Sequence, residues 1–130
     1  GIYTPRHFFE VELTIKSENL VEFRKYLPDQ LNPAEFNAIT DIGTTFTVVF
    51  KRKTNGKNDT RSLKKTGIDF MSVGRANGGR RQLGEYIKGK LMESGLLNYG
   101  EPITNDTLNE YGKSHLSCYF GDNNQVYLKF

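Results

Sequence analysis

The chain has 130 residues with 36% hydrophobic and 12% aromatic side chains, which is enough for one domain with a core and too few for two. A single cysteine excludes an internal disulfide and a cysteine-based zinc site, and no apolar run reaches the length of a membrane span or a secretory signal, so we expect an intracellular protein. Its 18 Lys and Arg exceed its 15 Asp and Glu by three charges, and these charges are unevenly distributed.

The N-terminal third mixes clear and ambiguous signals. Residues 8–15 alternate between two faces and predict a half-buried strand with Phe9 on its inner face. The polar run 16–19 predicts a turn, and residues 20–27 are compatible with a helical turn or with a second strand. Residues 29–36 predict a short helix.

The middle of the chain predicts two paired strands. Residues 41–43 predict a turn, and residues 44–53 alternate strictly enough to predict a strand. A further strand is predicted over 67–73. The loop 54–66 would then join two antiparallel strands and project from the sheet as an arm.

Positive charge is concentrated in residues 51–81. This stretch holds ten basic and two acidic residues, a net charge of +8, whereas the other ninety-nine residues sum to −5. The ten are Lys51, Arg52, Lys53, Lys57, Arg61, Lys64, Lys65, Arg75, Arg80 and Arg81. Such a basic patch on an otherwise acidic domain is typical of a protein that binds a polyanion, most often nucleic acid, the alternative being a solvated lysine-rich loop.

The residues between these charges favour nucleic acid. Two glycine-containing segments, 54–62 and 74–82, mix Arg and Lys with Asn, Asp, Thr and Gln. These side chains can form paired hydrogen bonds with base edges, and glycine allows backbone amides to approach a phosphate. Asn-Gly and Asn-Asp are also ordinary turn sequences, so this signal is suggestive.

The last third predicts two helices and a hairpin. Leu83, Ile87 and Leu91 recur at helical spacing and predict a helix over 82–93. Arg80 and Arg81 precede its start, where cations gain nothing from the helix dipole, so we expect a phosphate there.

The remaining elements complete the predicted fold. Thr104 and Gly112 have the positions of the caps of a short helix, and residues 116–130 predict a closing hairpin. Together the predicted elements indicate an all-β fold with two or three short helices, most simply a barrel or pseudobarrel.

Few residues support catalysis. His7 and His115 lie in or beside predicted strands without metal-ligand spacing, and Cys118 alternates with apolar neighbours as a buried strand thiol. We therefore predict no catalytic and no metal-binding residues. Carboxylates for a metal-dependent nuclease would have to come from Glu10, Glu12 and Asp29, which more simply lie on a solvated strand face and at a helix start.

The second half of the chain resembles a known family. Residues 82–91, Ile103-Thr104 with Leu108, the run 111–113 and the ending 126–130 resemble the B3-like DNA-binding domain of bacterial restriction endonucleases. Phe9 to Leu13 followed by Ser17-Glu18 and Leu27-Pro28 is similar to the start of plant B3 transcription-factor domains. The chain departs from the plant pattern in having no tryptophan and a longer loop at 54–66.

The resemblance implies a mainly β fold, a seven-stranded open pseudobarrel that spans residues 1–130 and clamps the major groove between two arms. The first arm would follow the first strand and the second would join the fourth and fifth strands, with further residues flanking the clamp. The DNA-binding residues would be Lys16, Ser17, Glu18, Asn19, Arg24 and Lys25 in the first arm, Lys57, Asn58, Asp59, Thr60, Arg61 and Lys64 in the second, and Arg75, Asn77, Arg80 and Arg81 beside them.

The arm tips would read bases and the surrounding cations would contact phosphates. The phosphate contacts would be Lys51, Lys53, Lys64, Lys65, Arg75, Arg80 and Arg81. The resemblance further implies a bacterial cytoplasmic protein in which the nuclease is a separate domain of the same polypeptide. This domain would then need no cofactor and no small molecule, with Mg²⁺ required only by the nuclease domain, and its first residue, Gly1, agrees with an excised piece.

Sequence-specific binding of double-stranded DNA without catalysis is therefore the leading hypothesis. A nuclease in its own right is one alternative. Binding of single-stranded DNA or RNA is another, for which Tyr3, Phe8 and Tyr119 would supply stacking, although these aromatics do not interleave with the basic stretch.

Overall fold

The computed structural model describes residues 8–9, 12–27, 34–53, 67–72 and 81–130. These contain six strands and three helices. In chain order they are β1 (Glu12–Thr14), α1 (Ser17–Tyr26), β2 (Ala34–Thr40), β3 (Thr45–Lys53), β4 (Gly67–Ser72), α2 (Gln82–Glu93), α3 (Asn105–Tyr111), β5 (Ser117–Phe120) and β6 (Gln125–Lys129).

The six strands form one curled sheet in the order β1-β4-β3-β2-β6-β5. Neighbours are antiparallel except for β2 and β6, which run parallel. The result is an open half-barrel with three helices, which confirms the predicted open pseudobarrel. Helix and strand contents are roughly equal, so the described part is mixed α/β, and it holds six of the seven expected strands.

The core lies on the concave side of this sheet. Phe46, Val48 and Phe50 alternate along β3 and are buried, because successive strand residues point to opposite faces. Helix α2 covers the same core with Leu83 and Leu91, both fully buried. Burying each such side chain contributes about 1.5–3 kcal/mol, so the α2 stripe anchors the helix to the sheet.

Helix α1 packs across the opening of the half-barrel. The ring of Phe23 lies 5.9 Å from that of Phe50 on β3 and 5.4 Å from that of Phe120 on β5, and Tyr26 stacks on Phe120 at 4.6 Å. One helix therefore links the middle of the sheet to its β5 edge. Leu27, which ends the helix, is 1% exposed.

The prediction for residues 16–27 was correct in allowing a helix but wrong in its start. The polar run 16–19 is the beginning of α1, with Lys16 as its N-cap and Glu18 in the first turn. Arg24 and Lys25 lie in the last turn. The negative charge at the start of the helix and the positive charges at its end therefore both complement the helix dipole.

The predicted helix over 29–36 is wrong within the described residues. Strand β2 begins at Ala34, and its buried residues alternate with exposed or half-buried ones from there. Ala34 and Glu35 have high helix propensity, but pairing with β3 and β6 on both sides overrides it. Residues 28–33 lie outside the described residues.

The first predicted strand is shorter than expected. Described strand structure covers Glu12–Thr14, and Phe8 and Phe9 lie in a turn, where Phe8 is fully buried and Phe9 half-buried. The reason is close contact with α2. A Cβ on Gly84 would stand 1.8 Å from the backbone oxygen of Phe9, so this turn touches the helix backbone where a side chain would otherwise be.

Lys88 holds the same turn. It is 3% exposed, donates to the backbone oxygen of Phe8, and its Nζ lies 4.2 Å from the centre of the Phe8 ring. Burial lowers the pKa of Lys88 because it disfavours the charged form. The turn at residues 8–9 is therefore fixed by α2 and not by strand pairing.

The other predicted strands and helices are confirmed, whereas the predicted arm at 54–66 lies outside the described residues. Helix α2 spans Gln82–Glu93, α3 is capped by reciprocal Thr104–Thr107 hydrogen bonds, and Gly112 ends it at φ 85°. Strands β5 and β6 form the closing hairpin, with Asn123 and Asn124 at positive φ in its turn. No helix in the described ranges is long and apolar enough to span a membrane.

Four residues tie the far end of the sheet to α2. The Tyr86 hydroxyl accepts from the Phe130 N–H at 2.9 Å and donates to Asp41 in the β2–β3 turn. Lys90 donates to Asp41 at 2.6 Å and to the Phe130 oxygen at 2.8 Å. The hydrogen bond from Lys90 is the main reason that the pKa of Asp41 is lowered, and burial raises the pKa of Tyr86.

Candidate nucleic-acid interface

The strands that lead into the two predicted arms, β1 and β3, end at the same end of the sheet, and we call these strand ends the arm exits. Strand β1 ends at Thr14, which lies opposite Asp69, and the next residue, Ile15, donates to the Ile68 oxygen at 3.1 Å. Strand β3 ends at Lys53, opposite Gly67. Both exits therefore flank the first residues of β4.

The spacing of these exits follows from the strand order. One strand, β4, separates β1 from β3, so the exits lie two strand spacings apart, about 10 Å. The major groove of B-DNA is about 12 Å wide. Arms that project from these exits, as predicted from the sequence, would be spaced to enter or straddle one groove.

The first arm is helical. Lys16 is the N-cap of α1 with no side-chain capping bond, and both Lys16 and Asn19 are exposed. Ser17 begins the helix, but its side chain is outside the described part. An exposed cation and an exposed amide at a helix N-terminus can bind a phosphate and a base edge respectively.

Arg24 and Lys25 have a role inside the helix itself. They complement the dipole at its C-terminal turn, and Lys25 pairs with Glu22 at 3.1 Å. Both partners of this pair are 63% exposed, so it adds little stability and leaves the lysine accessible to an anion. Arg24 is half-buried.

At the root of the second arm, Lys51 and Arg52 are half-buried on β3. Lys51 lies opposite Asp69, which accepts from Thr14 at 2.9 Å. A row of polar side chains thus crosses β3, β4 and β1 just below the arm exits. Lys53 continues the strand, and its side chain is outside the described part.

Most predicted base-reading and phosphate-contacting residues belong to segments outside the described part of the chain. Those that lie outside the described residues are Lys57, Asn58, Asp59, Thr60, Arg61, Lys64, Lys65, Arg75, Asn77 and Arg80. Their assignment stays a prediction from the sequence.

Arg81 lies near the end of the sheet opposite the arm exits. It precedes α2 as its N-cap, pairs with Glu85 at 3.4 Å and lies 5.3 Å from the centre of the Phe9 ring. Phe9 precedes β1, and β4 ends at Ser72 at the end of the sheet away from the arms. At about 3.3 Å per residue, the length of β4 puts roughly 17 Å between this region and the arm exits.

The structure leaves the nuclease alternative open. Glu10 and Asp29 lie outside the described residues, as does the side chain of Glu12. In the ranges that the structure describes, no group of three or more His, Cys, Asp and Glu could hold a metal ion. His115 is exposed in the bend just before β5, which agrees with its predicted place in or beside a strand.

Cys118 lies in strand β5, as predicted. It packs half-buried against the core, and burial raises its pKa to about 12. A thiol with that pKa is almost fully protonated at neutral pH and is a poor nucleophile.

Comparison with known proteins identifies the family. The family model for the NgoFVII C-terminal B3-like DNA-binding domain matches residues 13–122, which is most of the chain. None of the curated proteins matches it. The match begins within β1 and ends in the β5–β6 turn, so it covers β2 to β5, the three helices and both arm exits, whereas β6 lies beyond it. The chain therefore belongs to the B3-like DNA-binding domain family of the restriction enzyme NgoFVII.

Proposed function

We propose that this domain binds a specific sequence of double-stranded DNA through the major groove. It would serve as the target-recognition or effector domain of a restriction endonuclease whose catalytic domain is elsewhere in the same polypeptide. The observation that supports the proposal is that β1 and β3, the strands that lead into the two predicted arms, end about 10 Å apart at one end of the sheet. Family membership supports DNA as the partner.

The proposal divides the residues by role. Asn19 and the second-arm residues Asn58, Asp59 and Arg61 read base edges, since amides, carboxylates and guanidinium groups distinguish bases in the major groove. Lys16 and the cations around the second arm contact phosphates, which fix the register of the domain on the duplex. Arg81, at the far end of the sheet, would contact a phosphate on the flank of the duplex.

Charge supports this division. The stretch 51–81 carries +8, and a charge of that size attracts a duplex from solution before any base is read. Helix α1 adds little, because Glu18 and Glu22 offset two of its cations. The stretch 51–81 therefore supplies most of the attraction, whereas the first arm adds a rigid surface with an exposed amide.

Anisotropy titrations of a random duplex at several salt concentrations test the electrostatic part. About six phosphate contacts predict a slope of roughly −5 for the logarithm of the association constant against the logarithm of salt concentration. A flat response would overturn the proposal. Competition with single-stranded DNA and RNA of the same length should favour the duplex.

Binding-site selection from a randomised duplex then gives the recognised sequence, and a pair of variants tests the first arm. Asn19→Ala should relax the preference at one base pair of the selected site. Asn109→Ala, which removes another exposed amide, from α3, should leave the preference unchanged. If both variants showed the same sequence preference, the first arm would not read bases. Incubation of plasmid with the domain and Mg²⁺ should give no cutting.

A further inference from the structure

We infer that the domain holds one base, rotated out of the bound duplex, in a cleft beside the first arm. The inference rests on the proposed DNA binding and deepens it, because it assigns a base pocket to the same interface. The cleft has a volume of about 510 Å³ and is lined by residues 13–16, 18, 19, 23, 114–116 and 118. Pockets for small ligands typically measure about 300–1,000 Å³.

The cleft is the open seam of the half-barrel. Strands β1 and β5 are the two ends of the sheet order, and residues of both line the cleft. Helix α1 forms its third wall through Asn19 and Phe23. The curl of the sheet therefore creates a cavity at the place where the first arm begins.

The polar and apolar lining residues are separated by depth. All six polar lining residues are exposed, among them Lys16, Asn19 and His115. The five apolar ones are half-buried and pack against the core, among them Phe23 and Leu116. A polar mouth over an apolar floor matches the chemistry of a nucleobase, which has flat apolar faces and hydrogen-bonding edges.

The side chains at the mouth suit a base with an exocyclic amino group. The Glu18 carboxylate can accept from the amino group of cytosine or adenine, and the Asn19 amide can both donate and accept at a purine edge. Lys16, two residues beyond the end of β1, can bind the phosphate of the same nucleotide. Thymine has no amino group and would fit this mouth less well.

The experiment uses the duplex obtained by binding-site selection. Fluorescent analogues, 2-aminopurine in place of each purine and pyrrolocytosine in place of each cytosine, are introduced one at a time. We expect fluorescence to rise on binding at one position, because the analogue leaves the stack. A mismatch at that position should tighten binding by about tenfold to a hundredfold, since the unpairing free energy no longer has to be supplied.

Two tryptophan variants connect the signal to the cleft. Ser114→Trp places a large side chain at the mouth and should abolish the mismatch advantage. Ser94→Trp, at the exposed end of α2 and outside the cleft, is the matched control and should keep it. Circular dichroism of both variants verifies folding.

The outcomes separate this inference from the proposed function. Tight, salt-dependent binding with no fluorescence rise at any position and no mismatch advantage would overturn the base pocket and leave DNA recognition intact. If the mismatched duplex still bound more tightly to the Ser114→Trp variant, the displaced base would lie elsewhere, which would overturn the assignment to this cleft. A flat salt response would overturn both.

Discussion

Gly84→Ala should destabilise the domain although it improves the helix propensity of α2. A Cβ at this position would stand 1.8 Å from the backbone oxygen and 2.6 Å from the carbonyl carbon of Phe9, whereas ordinary contact begins at 3.4 Å. The turn at residues 8–9 must therefore move by about 1.6 Å or detach. Because the obstacle is backbone, rotation of a side chain cannot relieve it.

The magnitude follows from what the turn buries. Forcing a methyl group into a filled contact costs about 1–3 kcal/mol. Full loss of the buried Phe8 ring would cost about 3–5 kcal/mol. Replacing a helical glycine with alanine gains about 1 kcal/mol. We therefore expect a net loss of about 0–2 kcal/mol if the turn only shifts and of about 2–4 kcal/mol if it detaches.

Gly89→Ala provides the control on the same helix. Nothing lies within 4 Å of a Cβ there, so the variant should be stabilised by about 0.5–1 kcal/mol. Urea unfolding followed by circular dichroism measures both free energies of unfolding. Equal stabilisation of the two variants would refute the close contact between α2 and the turn.

Three further predictions concern the hydrogen bonds of Tyr86 and Asp41, which tie α2 to the far end of the sheet, and the two arms. Tyr86→Phe removes a hydroxyl that bonds a buried backbone N–H and Asp41, and should lower the free energy of unfolding in urea by about 1–3 kcal/mol. The pKa of Asp41 is lowered in the folded chain, chiefly because Lys90 donates a hydrogen bond to it. Its contribution to the free energy of unfolding is therefore fully present above the ordinary pKa of 3.8 and is lost as the pH falls through the folded pKa. Asp41→Asn should therefore be less stable than the unmodified chain at pH 7, and the difference should shrink below pH 3.8; a pH-independent difference contradicts this. Arg61→Ala should cost about 1–3 kcal/mol at one base pair of the selected site, whereas Arg80→Ala should weaken all sequences alike and shallow the salt slope by about one; identical anisotropy profiles would contradict these roles.

Much of the fold was predictable because its strands and helices have strong periodic patterns. Strand β3 alternates large apolar and polar residues, and α2 repeats leucine and isoleucine at helical spacing. The caps of α3 are local signals, since Thr104 and Gly112 act on neighbouring backbone. Such signals need no knowledge of tertiary contacts.

The errors arose where distant residues decide the local structure. Phe8 is buried because Gly84 and Lys88, more than seventy residues away in the chain, hold its turn. Ala34 begins a strand because it pairs with Phe50, although its propensity is helical. The link between Tyr86 and Asp41 also joins parts of the chain whose proximity periodicity does not reveal.

The type of the candidate site, a nucleic-acid interface, could be predicted from the sequence better than its geometry. Charge clustering predicts the second arm, whose residues 54–66 lie outside the described part, and the polar run 16–19 gave no sign that the first arm is a helix. Short polar runs suit turns and helix starts equally, because both need side chains that satisfy backbone amides. The cleft at the seam was not predictable, since it needs both ends of the sheet.

The central claim is that the two arms meet one stretch of one groove. It is tested most directly by tethering an iron chelate to a cysteine at either arm, Asn19→Cys or Asn58→Cys, each combined with Cys118→Ser. Cleavage of the selected duplex should occur on the same groove face, with the two sets of cuts within about half a helical turn, roughly five base pairs. Cuts from the two positions on opposite faces of the duplex, or cuts from one position alone, would contradict it.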